Sequence, residues 1–464
     1  MVLSRLRRAL YVGLATCACT LSSAQAETLN GALAKAYANN PDLNIVRAGQ
    51  RALDETVALA KSGYRPNING QIGYSVAANN ASGRFRSGGP TTSLQLQAQQ
   101  NLFNGFQTLN GVRQARADVF SGQENLRATE QQILAATVTA YVAVNRDLRI
   151  VGFREQNISF LNEQLSAARA RFEVGEGTRT DVEQARAERA AATSDLQAAR
   201  SNLETSRGLY IQLVGSRPDN LRRAEPIRSL LPSGLERALH IAERTHPLIR
   251  RAQFDVESAA FTVKQREGQF LPTLAATASV GATRGPSERA APGGRLGGGR
   301  FTDSYSVGAQ LTIPIYQGGA ASAQVRQSKE QLSSARIQVD QARLQVRADV
   351  VSAFSRYRAA LSAQQANAAQ VRAARLAVEG LVEERAVGQR TTLDVLLGRQ
   401  QLITAQILSA QNDAVLVSAS YDLVAATGRL NARTLGLHVK VFDPDEHYVA
   451  VKDKWYGLRT PDQR

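Results

Sequence analysis

Cysteine is nearly missing from this chain of 464 residues, and where the two thiols fall decides a good deal. Cys17 and Cys19 both lie in an opening stretch laid out as an export signal. Arg5, Arg7 and Arg8 precede an apolar core from Ala9 to Leu21, and Ala24-Gln25-Ala26 supplies a cleavage site. The chain after residue 26 then has no thiol, which excludes a disulfide framework and a thiolate metal site there. Lipid attachment at either cysteine fits the residues before it poorly. The one methionine is Met1, so a soft-metal relay through thioethers has no ligands either. Four histidines, His240, His246, His438 and His447, show no ligand spacing with acids or with one another. No nucleophile elbow or phosphate loop is present. The glycine-rich "GGRLGGGR" (293–300) precedes a strand pattern, whereas phosphate binding needs a helix to follow. The reading is therefore not an enzyme, with no cofactor and no metal.

Long apolar runs are also missing. No segment beyond the signal approaches the roughly 18 apolar residues of a membrane-spanning helix, so any membrane role has to come through strands. Charge is unbalanced: the formal net charge is +16, and losing Arg5, Arg7 and Arg8 with the signal takes it to +13. The basic residues are spread among Gln, Glu and Ala without a long run, which reads as solvated helical faces and not as a nucleic-acid surface.

Proline shows the plan. None of the 13 occurs from 91 to 217 or from 315 to 443, two tracts rich in Ala, Gln, Arg, Leu and Glu. The halves overlay as a repeat. "LNGALAKAYANNPDL" from Leu29 matches "LERALHIAERTHPLI" from Leu235, with Pro41 on Pro247 and Pro66 on Pro272, an offset of 206. "LFNGF" from Leu102 matches "IYQGG" from Ile315 at 213, an offset that holds to Gly215 and Gly428. The seven-residue difference falls in the loop 285–303, which is therefore expected to face solvent, like its counterpart 79–92. Each half reads as helix, strand, exposed loop, strand, long helix, breaker, long helix. Strands are expected at about 66–78, 93–103, 272–284 and 304–315, weakly alternating: Ile68, Ile72, Tyr74 and Val76 share one face, Asn67, Asn69, Gln71 and Ser75 the other.

From Gln107 to Phe172 a single helix would be roughly 100 Å long, too long for one globular core. Ile158, Leu161, Leu165, Ala168 and Phe172 step by three and four. Val182, Ala185, Ala192, Leu196, Ala199, Leu203, Tyr210 and Leu213 continue the seam after the breaker. Val395, Leu402, Ala405, Leu416, Ala419 and Leu423 repeat it in the second half. Such seams predict antiparallel coiled coils. The breakers "VGEGTRTD" (174–181) and "VGQRTTLD" (387–394) are then hairpin tips. Gly175 and Gly388 end one helix with positive φ, and Thr and Asp cap the next.

With the repeat, the "AYANNPDL" opening, the "LFNGF" and "IYQGG" junctions and "FEVGEGTRTDV" with "AVGQRTTLDV" in order, the chain resembles the TolC-type outer-membrane efflux proteins along nearly its whole length. The resemblance implies a mainly α fold with β, internally duplicated. Four strands per chain cannot close a barrel, which needs about eight or more, so a homotrimer would supply a 12-stranded outer-membrane barrel. The long coiled-coil helices would form a periplasmic tunnel. The implied organisation is a signal at 1–26, a first repeat at 27–230, a second at 231–435 and a periplasmic tail at 436–464. Trp455 and Tyr456 of that tail are expected to pack against the tunnel's outside or to contact a partner, with packing favoured. The implied role is the passive exit duct of a tripartite efflux pump or type I secretion system. Its partners would be a periplasmic adaptor, an inner-membrane pump or ABC exporter and outer-membrane lipid, with no nucleic acid. Adaptor hairpins would dock at Val174, Gly175 and Glu176 and at Val387, Gly388, Gln389, Arg390 and Thr391. The periplasmic gate would involve Asp181, Arg385, Arg390, Asp394 and Leu397. Asp181 and Arg390 match linked positions, and Asp394 matches the outer of two aspartate rings. The chain departs from the pattern at Leu397, where the second aspartate is replaced, and at Arg385, where a tyrosine is usual. A periplasmic coiled-coil scaffold without channel activity is the alternative reading.

Overall fold

The computed structural model describes residues 27–81, 84–285 and 300–461. The signal at 1–26 and most of the loop 285–303 lie outside them. Among the described residues, nine α-helices and four strands follow one another, most of them as a duplicated series. In the first half they are α1 (Leu29–Asn39), α2 (Pro41–Lys61), β1 (Asn67–Ala81), β2 (Arg84–Asn104), α3 (Gln107–Glu173) and α4 (Arg179–Val214). In the second they are α5 (Leu235–Thr245), α6 (Pro247–Glu267), β3 (Thr273–Gly285), β4 (Arg300–Thr312), α7 (Ala320–Ala386) and α8 (Thr392–Ala426). A short α9 (Pro444–Val451) follows. The counterparts agree in length: 11 and 11 residues, 21 and 21, 67 and 67, 36 and 35. The described residues fall into two compact units, one of 27–44, 127–246 and 345–441, the other of 45–126, 247–344 and 442–461.

In the first unit the seams are largely as the spacing predicts. Leu161, Leu165 and Ala168 are buried on α3, and Val182, Ala185, Ala192, Leu196, Ala199, Leu203 and Tyr210 are buried along α4. The exceptions lie at the ends. Phe172 is exposed, and Val214 takes the buried position in place of Leu213. Asn157 and not Ile158 continues the buried row. Ser206 is buried too, because its hydroxyl donates to Asp147 across the hairpin at 2.5 Å. At the base of this unit the Tyr141 hydroxyl sits 2.7 Å from the Glu27 carbonyl and 2.6 Å from that of Arg222, so it donates to either. Asn40 joins α1 to α2: its Oδ1 accepts from the Asp42 and Leu43 amides, and its Nδ2 donates to the Leu213 carbonyl. Pro41, lacking an N–H, suits the first helical turn after such a cap.

The second unit holds one antiparallel sheet in the order β1-β2-β3-β4. Its strands depart from the expected bounds most on β2 and β4, β4 also starting early, at Arg300, and β1 running on to Ala81. β2 starts at Arg84, because the ladder with β1 continues past a bulge at Val76/Ala78 to Ala81 opposite Arg84. Backbone pairing alone carries it through residues whose composition reads as loop. β4 stops at Thr312, ahead of Pro314, which has no N–H to donate. β2 turns into α3 through Gly105 and Phe106, both at φ 63°, matched by Gly318 (61°) and Gly319 (81°) before α7. A Cβ at Gly105 would come within 2.2 Å of the Gly268 carbonyl oxygen, so that position admits only glycine.

The tail is anchored on α2. The buried His447 Nδ1 lies 3.0 Å from Asp54 Oδ2, Lys61 pairs with Asp453, and Arg65 donates to the Lys454 carbonyl at 2.9 Å. The Arg65 guanidinium also stacks 4.6 Å from the Trp455 ring centroid. Trp455 thus packs on one face only, and Tyr456 stays exposed. The expectation that both rings pack holds for half of one of them.

Candidate functional site

Two regions gather the residues that chemistry would use: the hairpin tips and the sheet. At the first tip the Gly175 backbone has φ 80°. This lets the Glu176 and Gly177 amides turn back to the Arg171 carbonyl at 2.8 and 3.1 Å, closing α3. At the second, Gly388 also has φ 80°, and the Gln389 amide reaches the Glu384 carbonyl at 2.9 Å. The next helix is opened each time by a reciprocal box. Thr178 Oγ1 accepts from the Asp181 amide, and Asp181 Oδ2 accepts from the Thr178 amide (3.1 Å) and hydroxyl (2.6 Å). Thr391 and Asp394 repeat this at 2.9 and 2.8 Å. These bonds hold both carboxyls below the usual aspartate range: the Thr178 hydroxyl does most for Asp181, the Thr391 amide for Asp394. Each tip projects one apolar knob, Val174 at 70% and Val387 at 71% exposed. Gly175, Glu176, Gly388, Gln389, Arg390 and Thr391 are exposed around them.

The gate candidates divide. Within one chain the Arg390 guanidinium pairs with Glu384 at 2.8 Å, and Asp181 is engaged by Thr178; the two are not brought together. Arg385 is buried and donates to Gln164 of α3, with burial pushing its pKa down. Its guanidinium is held within the packing of the two hairpins, and its charge still reaches Asp181, each favouring the other's ionised form. Leu397, one turn past Asp394, is exposed. Arg399, absent from the sequence-based candidates, does from α8 what Arg385 does from the end of α7. It donates to Asn157 at 3.2 Å and stacks 4.7 Å from the Phe160 centroid, its pKa also lowered by burial. One buried and one half-buried guanidinium, Arg385 and Arg399, thus bind neutral amides of α3. A hint was available in the repeat: Arg385 stands where the first half has Phe172, a break in register.

The sheet is two-faced. Reading across its register, one face carries the rows Ile68–Ala98–Ala278–Val307, Gly70–Leu96–Val280–Tyr305 and Ile72–Leu94–Ala282–Asp303. The other carries Asn67–Gln99–Thr277–Gly308, Asn69–Gln97–Ser279–Ser306 and Gln71–Gln95–Gly281–Ser304. Both faces are largely exposed: Ile72 at 81% and Val307 at 90% have no cover. A polar, uncharged face backing an apolar one is the pattern of a strand layer between lipid and water.

The model of the family described as "Outer membrane efflux protein" matches the chain twice, over residues 32–216 and 238–429. The chain belongs to that family. The double match falls on the two halves of the repeat. It is 46% identical to the outer membrane efflux protein BepC of Brucella suis biovar 1 (strain 1330) over 445 residues, covering 96% of this chain and 95% of the relative. It is 27% identical to the outer membrane protein TolC of Escherichia coli (strain K12), covering 89% and 85%. The fold is shared with the Campylobacter jejuni CmeC outer membrane channel, with TM-score 0.76 at 16% identity over 91% and 89% of the two chains. The outer-membrane channel OprN superimposes with TM-score 0.72 at 19% identity over 86% and 89%. This outer membrane efflux protein is thus a duplicated, mainly helical chain of the outer membrane, extending into the periplasm. The family is one of transport channels and not of enzymes.

Proposed function

We propose that three copies of this chain close one 12-stranded barrel and form the passive exit duct of a tripartite efflux pump or type I secretion system. The observation that carries it is the sheet: four strands, two-faced, with β1 and β4 leaving both edges unpaired. Open strand edges of this length cannot face lipid, where every backbone N–H and C=O needs a partner. Pairing β4 of one copy with β1 of the next satisfies both edges at once, and three copies reach the strand number a closed barrel requires. The polar face, lined by Gln, Asn, Ser and Thr, then encloses a neutral lumen. The relative BepC carries efflux in its name, and AprF of Pseudomonas aeruginosa, 27% identical over 72% of this chain, is named an alkaline protease secretion protein. Both support a duct whose cargo is chosen elsewhere, by an inner-membrane pump or exporter and its periplasmic adaptor.

In this reading the organisation is that of two repeats at 27–230 and 231–435 and a periplasmic tail at 436–464. The adaptor seats on the two Val-Gly knobs, 174–176 and 387–391. Asp394 from three copies converges in the tunnel, where like charges repel one another and attract cations. Arg390, exposed beside Glu384, is free to exchange that partner for Asp181 of a neighbouring copy. Single-channel conductance of the protein in a planar bilayer, wild type beside Asp394→Ala, tests the proposal. Small cation-selective openings that enlarge or lose selectivity in the variant are expected. A chain that never inserts would instead favour the periplasmic scaffold.

A further inference from the structure

The last row of the apolar face to cross all four strands is unlike those beneath it, while the β1–β2 pair alone runs on past it. Tyr74, Thr92, Arg284 and Phe301 stand side by side across all four strands. From the Leu274–Leu311 pair at the helix-proximal end to this row is ten residues on β3. At about 3.3 Å per residue and a tilt of about 40°, that is a rise of roughly 25 Å, the height of an outer-membrane apolar band. The row therefore lies at headgroup level, on the side away from the periplasmic helices. Arg284 is exposed there, its guanidinium 5.3 Å from the Phe301 ring centroid. Among the described residues no carboxylate pairs with it. The guanidinium is exposed beside the Phe301 ring, and the exposed Thr92 hydroxyl on the paired strand adds another donor. A guanidinium suits a phosphoryl oxygen in both charge and geometry.

We propose that this row binds the phosphoryl headgroup of a lipid in the outer leaflet, with Arg284 as the anion ligand, Thr92 as a second donor and the Tyr74 and Phe301 rings bracketing the acyl–headgroup boundary. The inference rests on the barrel reading above. Asp303, one row deeper in the Ile72–Leu94–Ala282 line, opposes a phosphate by like charge. It keeps the headgroup above its own level and so fixes the depth of the site.

The test uses the full protein in detergent and native mass spectrometry, titrated with phosphatidylglycerol, with diacylglycerol as the acyl control and inorganic phosphate as the headgroup control. Wild type is expected to retain phosphatidylglycerol over either control. Arg284→Ala should weaken retention roughly tenfold, the loss expected for hydrogen bonds to a charged group. Asp303→Asn should strengthen it. Both variants should still assemble and conduct as wild type; should Arg284→Ala not assemble, Arg284→Gln carries the same comparison. Retention unchanged by loss of the guanidinium overturns the site, as does inorganic phosphate binding as well as the lipid. A wild-type protein that does not insert at all overturns the barrel reading, an outcome separate from either.

Discussion

Thr178, Asp181, Thr391 and Asp394 show how much a single residue can be asked to do. Each aspartate is a helix cap first: one carboxylate oxygen receives both the amide and the hydroxyl of the threonine three residues before it. Those bonds favour the ionised form, which is why both carboxyls titrate below the ordinary aspartate value. A depressed carboxyl stabilises the fold fully above its unfolded pKa, and the contribution is lost as pH falls through the lowered folded value. Hydrogen exchange at the Thr178 and Thr391 amides should therefore show protection that is flat above about 3.8 and falls only below it. Protection that declined already around pH 5 would mean that the carboxylates are not the acceptors in solution. Any gating by Asp394 has to compete with this cap, so the tip is rigid before it is a gate. Sequence pattern located these residues because capping chemistry is local. It could not locate Arg399, whose partners Asn157 and Phe160 lie some 240 residues away in the chain.

At the scale of elements, the sheet and the hairpins obey different rules. A hairpin of α3 and α4 is stabilised by its own seam, since Leu165, Ala168, Val182 and Ala185 bury one another. The sheet buries almost nothing within one chain, and its two faces have opposite requirements. Val307→Arg, about halfway up the apolar face between the Leu274 and Arg284 rows, should impair insertion by about 2–4 kcal/mol. Gln97→Arg, on the polar face of the adjoining region, should insert normally and move conductance toward anions. Folding into vesicles followed by electrophoretic mobility, with conductance on the inserted material, separates the two. Equal loss from both would mean that the faces are not lipid and lumen. The alternation was legible from Asn67 to Val76 alone. The extent of β2 was not, because the ladder beyond Val76 is held by backbone pairing that side-chain composition does not report.

For the whole molecule the open edges decide. The chain has no cysteine after Cys19, so engineered thiols are clean reporters. Asn69→Cys on β1 combined in turn with Ser304→Cys, Ser306→Cys or Gly308→Cys on β4 should give, at one register, an oxidised ladder that stops at three chains. A ladder stopping at two, or running on without limit, would overturn the trimer. The sequence by itself determined the duplication, the helical hairpins, the place of both tips and the family, because these rest on local propensity, periodicity and capping, which neighbouring residues specify. Only the tertiary structure decided that Arg385 is buried against Gln164, that Arg390 pairs with Glu384, and that the tail is pinned to α2 through Asp54 and His447. It also aligned Arg284 with Tyr74, Thr92 and Phe301 in one row. Each of these depends on which distant segments meet and in what register, and a long-range register is set by packing and strand pairing, not by the residues on either side.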